Sequence, residues 1–173
     1  MRVGIISDTH SYLDPTVFEH FADCDEIWHA GDFGTMDVAN QLREFKPFRG
    51  VYGNIDDGPL RNAYPEDERF TCEDSTVWMT HIGGRPGRYD RRVKKLLADD
   101  TPRLFICGHS HILRIEQDNR HNGMIYLNPG AAGHHGFHIM RTIVTLDFIG
   151  DQIGNLNVIE LGPRGRTVKQ SEE

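Results

Sequence analysis

The chain has 173 residues, which suits one domain whose core is large enough to need no disulfide scaffold. Hydrophobic residues make up 38% and charged residues 26%, a balance typical of a globular protein rather than a disordered one. No apolar run approaches the roughly 20 residues of a membrane-spanning helix, and a net charge of −7 disfavours a broad nucleic-acid surface.

Short apolar runs that end in turn-forming residues predict the first strands. They span residues 3–7, 26–30, 48–52, 75–80 and 103–107. Helices are predicted between them: one that starts at Asp14-Pro15, one capped by Thr35, and one from about residue 88 to residue 98. This alternation of strands and helices indicates βαβ units and a largely parallel sheet.

From residue 112 onward the pattern changes to successive strand-like runs. These runs span residues 112–117, 124–127, 142–148 and 153–160. They predict a second sheet packed on the first, which makes an α/β fold with a two-sheet sandwich flanked by helices. We expect one domain over residues 1–162 and a polar C-terminal tail over residues 163–173. Exposed strands near the C-terminus could also support a homo-oligomer.

The cysteines and the N-terminal segment bear on the cellular compartment. The three cysteines are scattered, with no Cys-x-x-Cys pair, which indicates reduced thiols. The apolar stretch at residues 3–6 is too short for a signal peptide. We therefore expect a cytoplasmic protein.

Side chains of metal-ligand type follow five of the predicted strands, at the end of the sheet where ligands bind in α/β proteins. They are Asp8, His10, Asp32, Asn54, His81, His109 and His111. Seven oxygen and imidazole ligands are too many for one tetrahedral zinc ion and suit two ions that share a carboxylate. Because no thiolate is among them, Mn²⁺, iron, Ni²⁺ or Zn²⁺ is favoured, and the histidines make Mg²⁺ less apt.

The same residues occur in five blocks with a characteristic order along the chain. The blocks are Asp8-x-His10, Gly31-Asp32, Gly53-Asn54-x-Asp56, His81 and Gly108-His109-x-His111. As a set they resemble the signature of the calcineurin-like metallophosphoesterases. The short length and the element Asn128-Pro129-Gly130-Ala131 resemble the small microbial phosphodiesterase branch called YfcE-like. The resemblance implies the calcineurin-like metallophosphoesterase fold, with its two packed sheets.

By this resemblance two divalent ions, Mn²⁺ first among them, would share Asp32 as the bridging carboxylate. One ion would be held by Asp8, His10, Asp32 and His111, and the other by Asp32, Asn54, His81 and His109. Asp56 would orient a ligand or a turn without touching a metal. The implied activity is hydrolysis of a small phosphodiester by attack of a metal-activated hydroxide on phosphorus.

One position departs from the pattern of the family. Many relatives carry a histidine directly after the asparagine, where it can protonate the leaving group, whereas this chain has Ile55. General acid catalysis contributes about 10²–10⁴-fold where it operates. We therefore expect better turnover of diesters with good leaving groups, such as aryl phosphodiesters, than of alkyl monoesters.

Two other functions stay open at this point. One is a phosphomonoesterase acting on a small phosphorylated metabolite, and the other is a catalytically weak interaction scaffold like the retromer subunit that resembles this fold. Retention of all seven ligand residues favours an enzyme. His134 and His135 are candidates for substrate contact or proton donation, and Arg85 for a phosphate oxygen, although ordinary solvated residues are the simpler interpretation. The loops at residues 57–66, 82–90 and 131–140 would carry specificity.

Overall fold

The computed structural model describes residues 1–165, so residues 166–173 of the predicted C-terminal tail lie outside the described part. The strands are β1 (Arg2–Ile6), β2 (Glu26–His29), β3 (Phe48–Gly50), β4 (Asp67–Cys72), β5 (Ser75–Thr80), β6 (Gly84–Arg85), β7 (Arg88–Tyr89), β8 (Leu104–Ile106), β9 (Arg114–Asp118), β10 (Met124–Asn128), β11 (Met140–Ile149) and β12 (Gln152–Pro163). The helices are α1 (Thr16–His20), α2 (Met36–Phe45), α3 (Gly58–Ala63) and α4 (Arg91–Asp99). Within residues 1–165 no helix is long and apolar enough to cross a membrane.

Two five-stranded sheets share one design, a parallel centre with antiparallel strands beside it. The first sheet has the order β12-β11-β1-β2-β3, in which β1, β2 and β3 are parallel. The second has the order β4-β5-β8-β10-β9, in which β5, β8 and β10 are parallel. Strands β6 and β7 form a separate two-stranded ribbon.

The expectation that the second sheet starts at residue 112 is wrong. Strands β9 and β10 join β5 and β8 in the second sheet, whereas β11 and β12 return to the first sheet beside β1. The hydrophobic pattern of a segment defines a strand and its buried face, but it does not choose between two sheets whose faces are equally apolar. The predicted parallel βαβ units are present, but they are divided between the two sheets.

Side chains on successive positions of a strand separate the layers of the fold. In β1 and β2, Ile5 and Trp28 point into the core between the sheets, while Ile6 and Ile27 point outward beneath α1 and α2. On the second sheet, Trp78 faces outward and packs beneath α4. The central strands are therefore buried on both faces, which explains why their sequences are continuous apolar runs. The result is a two-sheet sandwich flanked by helices, as predicted.

Several element boundaries differ from the predictions, each for a local reason. The helix expected from residue 88 begins at Arg91, because the Asp90 carboxylate caps it by accepting from the Arg92 N–H at 2.8 Å. Helix α1 begins at Thr16, after a turn in which Asp14 Oδ1 accepts from the Thr16 N–H at 3.0 Å. Helix α3 and strand β4 were not predicted, since α3 is short and largely exposed and β4 is only partly buried and carries three charged residues.

Candidate metal centre

The carboxyl ends of the parallel strands bring all seven candidate ligands to one edge of the sandwich. In the first sheet, β1, β2 and β3 lead to Asp8, Asp32 and Asn54, and in the second sheet β5 leads to His81 and β8 to His109 and His111. Backbone hydrogen bonds join the loops: the Asp8 N–H donates to the Gly31 carbonyl at 3.0 Å, and the Gly108 N–H donates to the His81 carbonyl at 3.0 Å. The sheets thus converge on one site.

Four ligand atoms form the first potential metal group. Asp8, His10, Asp32 and His111 each offer one atom, and these atoms lie within 4.8 Å of one another. His111 Nε2 is 3.1 Å from Asp8 Oδ1, and His10 Nε2 is 3.7 Å from Asp32 Oδ2. This is the set that the family resemblance implied for one ion.

A second group adjoins the first and shares Asp32 with it. Ligand atoms of Asp32, His81 and His109 lie within 4.8 Å of one another. His81 Nε2 is 3.2 Å from Asp32 Oδ2 and also 3.2 Å from the Asn54 amide oxygen. Asn54 therefore lies beside this group, and Asp32 is placed to serve both.

The oxygen and nitrogen atoms that meet at this edge suit the binding of a cation. Oδ1 of Asp8 is buried and has no hydrogen-bond partner among residues 1–165, although imidazole nitrogens surround it. The Nδ1 atom of His81 donates to the Ala30 carbonyl at 2.8 Å, so in the neutral ring Nε2 presents a lone pair to the site. A positive charge at this position, from a cation or from protonated imidazoles, offsets the cost of burying the two carboxylates.

The pKa values of the histidines reflect this negative centre. Burial alone lowers the pKa of His81, but the hydrogen bond with Asp32 and the charges of Asp8 and Asp32 raise it above its ordinary value. The pKa of His111 is raised in the same way, against burial, by the contact with Asp8 and by both carboxylates. Burial dominates at His10 and lowers its pKa despite the two carboxylates. The two buried carboxylates thus raise the proton affinity of His81 and His111 in particular.

The backbone at the site is held in an unusual conformation. Five of the seven candidate ligands have positive φ, namely Asp8 (54°), His10 (46°), Asp32 (58°), His109 (66°) and His111 (59°). Such left-handed residues carry strain and cluster at functional sites. A Cβ atom at Gly53 would collide with Oδ1 of Asp32, and one at Gly108 would collide with the Ser7 hydroxyl. Only glycine allows these loops to approach the carboxylates so closely.

Asp56 fastens two of the ligand loops without joining either metal group. Its Oδ1 accepts from the Gly34 N–H at 2.9 Å, and its Oδ2 accepts from the Gly53 N–H at 2.8 Å. Arg61, on α3, donates to the Asp56 carbonyl at 2.7 Å and to the Asn54 carbonyl at 3.2 Å. Asp56 thus contacts two ligand loops rather than a metal group, and its orienting role stays a prediction. Arg61 was not foreseen, because it lies in a segment with no recognisable motif.

Small polar residues beside the ligands were also missed. The Ser7 hydroxyl donates to Asp8 Oδ2 at 2.7 Å and so fixes this carboxylate. The buried Thr9 hydroxyl lies 3.0 Å from His29 Nε2, and the Gly31 N–H donates to His29 Nδ1 at 3.1 Å. Burial lowers the pKa of His29 to about 3, so its ring stays neutral. The signal in the sequence is that Ser7 and Thr9 flank Asp8.

The predicted substrate residues occupy different places. His135 lines a cavity of about 240 Å³ at the metal groups, together with Ile55 and Phe137. His134 lies outside this cavity, with its ring 4.3 Å from that of Tyr12. Arg85 lines an adjoining cavity of about 580 Å³ that also contains His109. His135 thus lies beside a ligand, with its ring 4.7 Å from that of His10, whereas Arg85 shares only a cavity with His109.

Comparison with known proteins adds to this picture. The model of the calcineurin-like phosphoesterase superfamily domain matches residues 1–151. A probable metallophosphoesterase of Methanothermobacter thermautotrophicus is 30% identical over 138 residues, covering 76% of this chain and 77% of that protein.

Two solved structures illustrate the range of proteins with this fold. An archaeal phosphodiesterase matches with a TM-score of 0.74 at 22% identity, over 93% of this chain and all of the other. Vps29 of Entamoeba histolytica, complexed with Zn²⁺, matches with a TM-score of 0.71 at 18% identity, over 95% of this chain and 100% of the other. The family match and the metallophosphoesterase relative agree with the resemblance seen in the motifs: the chain belongs to the calcineurin-like phosphoesterase superfamily.

Proposed function

We propose that this protein is a phosphodiesterase that uses two divalent cations, most suitably Mn²⁺, bridged by Asp32. The observation that carries the proposal is that two ligand groups share this one buried carboxylate. Asp8, His10 and His111 would complete one ion site, and Asn54, His81 and His109 the other. When bound, the cations would supply a nucleophile active at neutral pH and would neutralise charge on the phosphoryl oxygens.

The residues of the chain position the substrate around this centre. Asn54 and His109 are exposed members of the ligand set, so they face the cavity in which a phosphate ester would lie. The Asp32 carboxylate is fixed because its Oδ1 accepts from the Ile55 N–H at 3.1 Å. Among the cavity-lining residues within 1–165, His135 is the titratable side chain that the proposal does not assign to a metal.

The lining of the cavity supports a preference for diesters with good leaving groups. Ile55 cannot donate a proton to a departing oxygen, so an alkoxide would leave without general acid catalysis from that position. An aryl oxide is a weaker base than an alkoxide and can therefore leave without being protonated. A strong preference for alkyl monoesters in a substrate panel would contradict this part of the proposal and support the phosphomonoesterase alternative.

The test is an assay of metal-free protein to which Mn²⁺, Ni²⁺, Zn²⁺ or Mg²⁺ is added back. We expect hydrolysis of bis(p-nitrophenyl) phosphate with Mn²⁺, and loss of at least about 10²-fold in kcat on substitution Asp32→Ala, since one charge that organises a transition state contributes this much. Asp23→Ala, at an exposed carboxylate away from the cavity, is the matched control and should keep full activity.

The interaction scaffold remains the competing function, because the fold of Vps29 also matches this chain. A scaffold would bind cations without turnover. If metal-loaded protein hydrolysed neither diesters nor monoesters, the phosphodiesterase proposal would fail and the scaffold would be favoured.

A further inference from the structure

A second cavity opens beside the metal centre. It encloses about 580 Å³, and it shares His109 and Ser110 with the cavity at the metal groups. A ligand that contacts His109 can therefore extend from one cavity into the other. Three arginines line the second cavity, Arg85, Arg88 and Arg114, in a chain whose net charge is −7.

Two of these arginines lie next to each other at the surface. Arg85 and Arg88 are both exposed and lie directly opposite each other in the β6–β7 ribbon, where solvent screens the repulsion between like charges. Neither forms an ion pair or a side-chain hydrogen bond with any residue in the part of the chain that the structure describes. Arg114, in contrast, pairs with Glu116 at 2.6 Å. The ribbon therefore presents two uncompensated guanidinium groups to the cavity.

The ribbon that carries these arginines is firmly attached to the second sheet. Its turn is Pro86-Gly87, in which Gly87 has φ of 80°, as expected at the third position of a type II turn. The buried Tyr126 hydroxyl donates to the Gly84 carbonyl at 2.7 Å, and the Asp90 N–H donates to the Gly83 carbonyl at 3.0 Å. These bonds fix the backbone positions from which the two arginine side chains extend into the cavity, so only side-chain ordering adds to the entropic cost of binding an anion.

We propose that this arginine cavity binds a second phosphate of the substrate, so that the substrate class is a phosphodiester carrying an additional phosphate group. Guanidinium groups suit this role because their planar donors match phosphate oxygens. Ile112, with 64% of its surface exposed, lines the same cavity and offers apolar contact to the organic moiety between the two phosphates. This inference rests on the proposed phosphodiesterase function.

The test compares two probes that release the same leaving group. One is thymidine 5′-(p-nitrophenyl phosphate), and the other is the same compound with an added 3′-phosphate. The Mn²⁺-loaded enzyme should show a kcat/KM about tenfold higher for the 3′-phosphorylated probe, because a hydrogen bond to a charged group is worth about that factor. The double variant Arg85→Gln/Arg88→Gln should abolish this preference.

Arg91→Gln provides the matched control. Arg91 is exposed, lies three residues beyond Arg88 and does not line the cavity, so its loss removes one positive charge, half of what the double variant removes, and should leave the preference intact. Equal kcat/KM for the two probes in the unmodified enzyme would overturn the inference while leaving the phosphodiesterase function standing. A preference that survives in the double variant would also overturn it.

A binding measurement separates this inference from the proposed function. If neither probe is hydrolysed, the phosphodiesterase proposal fails, and calorimetric titration with thymidine 3′,5′-bisphosphate and thymidine 5′-monophosphate decides about the cavity. Tighter binding of the bisphosphate that disappears in the Arg85/Arg88 double variant supports an anion site. Equal binding of the two ligands refutes it.

Discussion

Ile55 occupies the rim of the metal-site cavity, directly after Asn54, with 47% of its surface exposed. Its backbone N–H supports Asp32, but its side chain takes no part in that hydrogen bond. The side chain can therefore be replaced without removing the support of the Asp32 carboxylate. This makes position 55 suitable for testing the contribution of a general acid.

Substitution Ile55→His should raise turnover selectively for substrates with poor leaving groups. We expect about a tenfold gain in kcat for alkyl esters and little change for aryl diesters, since a new acid helps only where the leaving oxygen needs a proton. The check is a plot of log kcat against leaving-group pKa, whose slope should become shallower in the variant. Ile55→Gln, polar but not titratable, is the control, and an equal gain there would show that proton donation is not the cause.

Loops rather than helices or strands carry the site, and hydrogen bonds between these loops keep them in place. Asp56 links the loop after β2 to the loop after β3, and Asn128, at the end of β10, donates to the Gly108 carbonyl at 2.8 Å. The neighbouring Asp57 has a different task, because it caps α3 by accepting from the Leu60 N–H at 3.4 Å. Adjacent aspartates thus serve the metal site and a helix.

Replacing each aspartate by alanine should separate these two tasks. Asp56→Ala leaves two backbone N–H groups without their acceptor, so we expect a loss of roughly 2–4 kcal/mol in unfolding free energy together with weaker metal binding. Asp57→Ala removes one helix cap and should cost about 1 kcal/mol without changing metal affinity. Urea denaturation and Mn²⁺ titration measure both effects. Equal metal affinity in the two variants would contradict the role given to Asp56.

The sequence predicted most of the strands and the edge at which the candidate ligand residues meet, because both leave local signals. Apolar runs marked strands such as β5, and Asp, Asn and His directly after them marked the site. The return of β11 to β1 could not be predicted, because it depends on a distant strand, for which the segment carries no local pattern. The ribbon that opposes Arg85 to Arg88 and the contacts of Arg61 are local in sequence, but ribbon strands of two residues and a single arginine carry no recognisable pattern.

At the scale of the whole molecule, a buried ion pair joins distant parts of the chain. Arg141, in β11, donates to Asp14 Oδ2 at 2.7 Å, and the two side chains are only 7% and 11% exposed. Burial alone raises the pKa of Asp14, but hydrogen bonds from Arg141 and Thr16 outweigh it and hold the pKa below its ordinary value. The pair therefore couples the segment before α1 to the sheet.

This pair predicts a pH dependence of stability. Because the folded-state pKa of Asp14 is lowered, its stabilisation is complete above the unfolded pKa, about 4, and is lost as the pH falls through the lower folded value. Asp14→Asn should cost about 2 kcal/mol at pH 7, since it leaves Arg141 buried without its partner charge. Urea unfolding between pH 7 and pH 2.5 should show the two proteins converging at the acid end. A difference that does not change with pH would contradict this account.

Anomalous X-ray diffraction from crystals soaked in Mn²⁺ tests most directly whether Asp32 bridges two cations. We expect two anomalous peaks about 3.5–4 Å apart on either side of the Asp32 carboxylate, one near His10 and His111 and the other near His81 and His109. A single peak, or peaks away from Asp32, would contradict the claim.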